Sequence, residues 1–133
     1  MTDSVNHMRL RFDKAEVLED GCRVRVTVSY AARVVEAEAA MEDAPIGYLK
    51  AAATATLKAV EETVGQRFAA TLADLDHVNA LGKDLIAVLI DIEFEGREVQ
   101  VFGSCQKTGN DIDAAVKSAL NATNRFFELS MRE

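Results

Sequence analysis

Two stretches of this chain carry one pattern, and that duplication constrains the fold more than any other feature. In the later copy, Ala87-Val88-Leu89-Ile90-Asp91-Ile92-Glu93-Phe94 reads as a strand and Glu95-Gly96 as a tight turn, followed by a strand over 97–102 and a helix over 111–127. Setting Arg33 on Arg97 also sets Val24 on Val88, Val26 on Ile90, Val28 on Ile92 and Tyr30 on Phe94. The helices match after a slip of one residue, which pairs Leu49 with Ile112, Ala52 with Ala115 and Leu57 with Leu120. The expectation is a single α+β domain made of a duplicated β-β-β-α unit, over about 8–65 and 68–128. Its strands are largely antiparallel, with two alanine-rich helices packed on one face.

The local patterns support this order. Met8, Leu10 and Phe12 alternate with Arg9, Arg11 and Asp13, the period of a half-buried strand that continues to Leu18. Asp20-Gly21 suits a two-residue hairpin turn. From 22 to 30, Val24, Val26, Val28 and Tyr30 face one way and Arg23, Arg25, Thr27 and Ser29 the other. Ala31-Ala32 is a poor turn pair, so a hairpin there is inferred from its counterpart Glu95-Gly96. Strand three spans 33–40. A helix begins near Asp43-Ala44-Pro45 and stops at Gly65, with more alanine (51–53, 55 and 59) than propensity requires. Such small side chains predict close packing against a sheet or a second helix. Residues 66–70 read as a linker, 71–81 as strand four, Gly82-Lys83-Asp84 as a turn, and 103–110 as the loop before the last helix.

Length and charge exclude several classes. With 133 residues the chain can bury a core without disulfide or metal staples. Cys22 and Cys105 fall at non-equivalent places and read as free thiols of a reducing compartment. No apolar run approaches the roughly 20 residues of a membrane span, and residues 1–7 lack the order of a signal peptide. The expectation is a cytoplasmic protein with no membrane partner. A net charge of −7 argues against nucleic acid. Arg9, Arg11, Arg23 and Arg25 read as a solvated sheet face balanced by Glu36 and Glu38.

Chemistry-bearing candidates are few. Asp74, Asp76 and His77 invite a metal or acid–base reading, but no third ligand has suitable spacing, so they read as a strand edge. The glycines of 103–110 do not match a phosphate-cradling loop, and Asp111 and Asp113 would repel a phosphate there. No nucleophile–base pair, metal set or cofactor loop is visible, so the chain reads as non-catalytic, with no cofactor. One contrast between the copies does point outward. Leu89 replaces Arg25 and Phe102 replaces Glu38, which makes the outer face of copy two apolar where that of copy one is charged; Leu89 and Phe102 are therefore interface candidates.

A family resemblance rests on these residues. Leu72-Ala73-Asp74, the strand over 86–92, Glu95-Gly96-Arg97-Glu98-Val99, and Gly103 leading through Asp111-Ile112 into the alanine-rich run to Arg125 resemble the C-terminal allosteric, dimer-forming domain of 2-isopropylmalate synthase and citramalate synthase. Pro45 followed by the alanine run resembles that domain's first helix, although Glu42, Asp43 and Ala44 stand where the family has glycines. The 133 residues contain no counterpart of the family's catalytic barrel. The resemblance implies a regulatory or assembly module that forms a homodimer and binds a small apolar effector such as a branched-chain amino acid. A pocket of that kind needs donors for a carboxylate, an acid for the ammonium group and an apolar recess. The helix entrances are the candidate place, with Asp43, Ala44, Pro45, Gly103, Ser104 and Asp111. The alternative reading is a protein–protein interaction subunit without a small-molecule ligand.

Overall fold

The structure is a computed structural model that describes residues 10–43 and 45–131. Two three-stranded antiparallel sheets form in chain order. Sheet one holds β1 (Arg11–Val17), β2 (Arg23–Tyr30) and β3 (Arg33–Ala40), followed by α1 (Gly47–Thr63). Sheet two holds β4 (Phe68–Ala80), β5 (Lys83–Phe94) and β6 (Arg97–Gln106), followed by α2 (Asp111–Met131). The repeated β-β-β-α order is therefore the observed fold. In each sheet the middle strand is the most apolar, because both its neighbours and a helix cover it: Val24, Val26, Val28, Ile86, Val88, Ile90 and Ile92 are all buried.

The helices join the two halves. α1 packs on β2 and β3 of its own sheet and on β4 of the other, while α2 packs on β5, β6 and, across the molecule, β1. β1 and β4 are equivalent strands, so this reciprocity is that of an approximate two-fold relation between the units. α1 and α2 also pack on each other. Wedged between two sheets and a helix, α1 is buried around most of its circumference at Ala51, Ala52, Ala53, Ala55, Leu57, Ala59 and Val60, which explains its alanine content. The buried threonines of both helices satisfy themselves: Thr56, Thr63 and Thr123 each donate to the carbonyl one turn back, at 2.7, 2.8 and 2.9 Å.

Several boundaries differ from the sequence expectation. Strand four starts at Phe68, not Thr71, and Phe68 is a fully buried core residue. It meets Phe94 and Phe126 edge to face with centroids 6.4 Å away, worth about 0.5–1.5 kcal/mol per pair beyond burial. The hairpin between β4 and β5 turns on Leu81-Gly82 rather than Gly82–Asp84, because Ala80 pairs with Lys83. Ala31, Leu81 and Glu95 all adopt positive φ at hairpin tips, a strain of about 1–2 kcal/mol for a residue with a Cβ. Asp20-Gly21 lies in a longer loop closed by Leu18 N–H donating to Arg23 O. There the Asp20 carboxylate accepts from the Cys22 N–H at 2.8 Å and from Arg23 Nε at 2.9 Å, contacts that lower its pKa in that order. α1 begins at Gly47, later than Asp43–Pro45. Ile46 caps it without a side-chain bond, and a Cβ at residue 47 would collide with the Glu42 carbonyl as the chain doubles back.

The largest revision concerns Gly103, expected in a loop. β6 runs on to Gln106, so Gly103, Ser104 and Cys105 are strand residues. Gly103 is buried, and a Cβ there would strike the Ser118 carbonyl and stand 2.7 Å from Ala122 Cβ on α2. The glycine is what lets α2 lie against β6. Gly103→Ala should therefore cost about 1–3 kcal/mol through overpacking. Urea denaturation of wild type and variant checks this, and equal midpoints would mean the helix can move away at no cost.

Candidate functional site

The helix entrances do approach each other, at one contact. Tyr48 in the first turn of α1 donates its hydroxyl to Asp111 Oδ2 at the start of α2, at 3.2 Å. The register that sets Leu49 on Ile112 also sets Tyr48 on Asp111, so equivalent residues of the two copies touch and the two-fold relation passes between them. Lys107 Nζ reaches the other oxygen, Asp111 Oδ1, at 3.1 Å. Burial, then the Asp111 charge, pushes the Tyr48 phenol above its ordinary pKa. Asn110 caps α2 by accepting the Ile112 N–H at 2.8 Å, one residue before the Asp111 expected at the helix entrance.

Of the expected ligand set, Asp111 takes part in this contact. Asp111 is engaged by Tyr48 and Lys107. Gly103 is closed by α2, and the Ser104 carbonyl accepts Asn121 Nδ2 at 2.9 Å. Asp43 and Pro45 are exposed in the loop before α1, and Ala44 lies outside the described residues. The recess beside the α2 entrance is only about 110 Å³ and is lined by polar groups such as Gln106, Asn110 and Lys117. A larger open groove of about 510 Å³ lies instead at the β5–β6 turn, between Phe94, Glu95, Arg97, Val99 and Phe126.

The outer sheet faces differ as the sequence contrast anticipates. On sheet one, Glu38 accepts from Arg23 Nη1 at 2.8 Å and Arg25 Nη2 at 2.9 Å. Glu16 stands 3.8 Å from both Arg25 and Lys14. Met8 and Arg9 lie outside the described residues. On sheet two, Leu89 and Phe102 are direct cross-strand partners, the places held by Arg25 and Glu38 in sheet one. Phe102 is 66% exposed while Leu89 is half-buried. Ala87 and Leu85 continue the apolar row along β5, and Val78 flanks it from β4 as the partner of Leu85.

Carboxylates flank that row on the β4 side and toward the β5–β6 turn. Glu93 pairs directly with Glu98 across β5 and β6. With Asp91 they line an open groove of about 450 Å³. Asp91 accepts from Gln100 at 2.8 Å. Asp74, whose β5 partner is Leu89, and Asp76 each accept the next residue's N–H at 2.8 Å. Asp74 pairs with Leu89 as Glu16 pairs with Arg25, so the two acids are counterparts. His77 is exposed, and among the described residues no three of His, Cys, Asp and Glu are placed to hold a metal ion. Nor is any described helix long and apolar enough to cross a membrane. The Glu93–Glu98 opposition followed from the Glu95-Gly96 hairpin already inferred, since a two-residue turn fixes every cross-strand pair behind it.

The Tyr48–Asp111 contact has a pH signature. A raised phenol pKa means the neutral form is favoured in the folded state, so its stabilisation is complete below the unfolded value of about 10 and is lost as pH rises through the folded one. Tyr48→Phe should lose about 1 kcal/mol near neutral pH and show a flatter fall in stability toward about pH 10.5. Denaturant titrations at the two pH values measure both, and parallel pH profiles would show that the bond does not form. A search against family models and curated proteins finds no match to this chain.

Proposed function

We propose that this chain is a non-catalytic interaction module whose working surface is the outer face of sheet two. The single observation behind the reading is the Leu89–Phe102 pair, set apolar side out where the equivalent residues of the first copy form an ion pair. Two large apolar residues placed opposite each other on a solvent face cost solubility and add nothing to the core, and such a patch marks a surface that is covered in use. The acids that flank it keep that face hydrated and the copies apart until it is covered. Raising salt shortens the Debye length from about 8 Å to about 3 Å at 1 M and weakens that repulsion. Sedimentation equilibrium should then show self-association that grows with salt, and Leu89→Glu with Phe102→Glu should abolish it while leaving circular dichroism unchanged. Association that persists in the double variant would assign it to another face.

A second reading, favoured by the groove at the β5–β6 turn, keeps the effector role the resemblance implies. Glu95 and Arg97 supply one charge of each sign beside apolar walls of Phe94, Val99 and Phe126, the complement of a zwitterion with an apolar body. Leucine, isoleucine and valine should then raise the melting temperature in a concentration-dependent way, and Arg97→Ala should remove the response. A flat response to the panel excludes this reading and leaves the first intact.

A further inference from the structure

Row by row, the outer faces of the two copies have exchanged chemistry. The Arg25–Glu38 row of sheet one is the Leu89–Phe102 row of sheet two, Thr27–Glu36 is Asp91–Gln100, and the uncharged Ser29–Val34 row is Glu93–Glu98. Like charges directly across a sheet are destabilising, and among the described residues neither Glu93 nor Glu98 has an ion-pair partner, whereas Arg23 and Arg25 are both in ion pairs. A local rule broken without compensation inside the chain points to compensation from outside it.

Resting on the reading that this face is a docking surface, we infer that its partner is another protein, presenting an apolar side chain to Leu89 and Phe102 and lysine or arginine to Asp91, Glu93 and Glu98. A second copy of this chain is held off near physiological salt and covers this face only when added salt screens the acids. Face to face, two copies bring both sets of carboxylates around one apolar centre. Against sheet one, they meet Arg23 and Arg25, already held by Glu38, Glu16 and Asp20. A cationic rim around an apolar anchor relieves the Glu93–Glu98 repulsion and steers the approach of the partner.

The probes are two synthetic strand-forming peptides, one alternating leucine with lysine and one alternating leucine with glutamate, titrated into ¹⁵N-labelled protein near physiological salt. The lysine peptide is expected to shift amide resonances of β5 and β6, and the glutamate peptide to leave them in place. Glu93→Gln with Glu98→Gln should weaken lysine-peptide binding by about ten-fold and flatten its salt dependence. Leu89→Ser with Phe102→Ser should weaken it comparably while keeping that dependence, with circular dichroism confirming the fold of each variant. If the serine variant weakens binding but the glutamine variant does not, or the glutamate peptide binds equally, the face docks a partner whose rim is not basic and the inference is overturned. If the serine variant binds as wild type does, the peptide follows net charge alone and the docking reading falls with the inference.

Discussion

The close approach of each helix to its sheet is the constraint on which the rest of the molecule depends. Two sheets and two helices must share one apolar interior in 133 residues, and each helix must touch strands of both halves. Only small side chains at the contact allow it: Gly103 under Ser118 and Ala122, and the alanines along α1. Interiors are packed to the density of organic crystals, so one extra methyl at such a point displaces a backbone rather than filling a void. The loss of larger apolar side chains in the helices is offset by the strands, where Val24, Val26, Val28, Ile86, Val88, Ile90 and Ile92 supply the bulk.

This division of labour leaves the outer faces free to diverge. Neither face takes part in holding the helices, so the chemistry of either can change without touching the core. Sheet one keeps a network in which Glu38 is shared by two arginines; exposed pairs of this kind contribute little stability, but they leave the face electrically quiet. Sheet two carries an aromatic ring in the open and carboxylates opposite one another. The fold has no use for either feature, and a module that displays a binding surface has use for both.

How much of this was legible in the sequence follows from which physical signals a linear pattern carries. Strand order, the repeat, the buried valines and isoleucines, and the outward direction of Leu89 and Phe102 are all set by period-two alternation, which is readable because each residue has a side chain to mark its face. Gly103 has none. It carries no face signal, and a glycine followed by Ser104 and Cys105 reads as a loop until the helix that lies against it is seen. Phe68 gives no strand signal in sequence because Gly65-Gln66 reads as the beginning of a longer linker, whereas both residues turn the chain at positive φ and the strand resumes almost at once. The Tyr48–Asp111 contact was hidden for another reason: it joins equivalent positions of two units, and their register was known from sequence while their relative placement was not.

At the helix entrances, where a ligand was expected, the fold makes use of the polar groups itself. Helix N-termini offer unpaired N–H groups, but where two of them meet on a two-fold relation the nearest donors and acceptors are each other's. Tyr48 supplies a hydroxyl, Lys107 an ammonium group, and the Asp111 carboxylate takes both, so a site with ligand-binding chemistry is already occupied by the protein itself. A ligand there would have to displace both bonds. The acids of sheet two are in the opposite condition. Held opposite each other by the hairpin register and exposed to solvent, Glu93 and Glu98 gain from any cation that arrives, and the apolar row beside them determines what kind of molecule can bring one and stay.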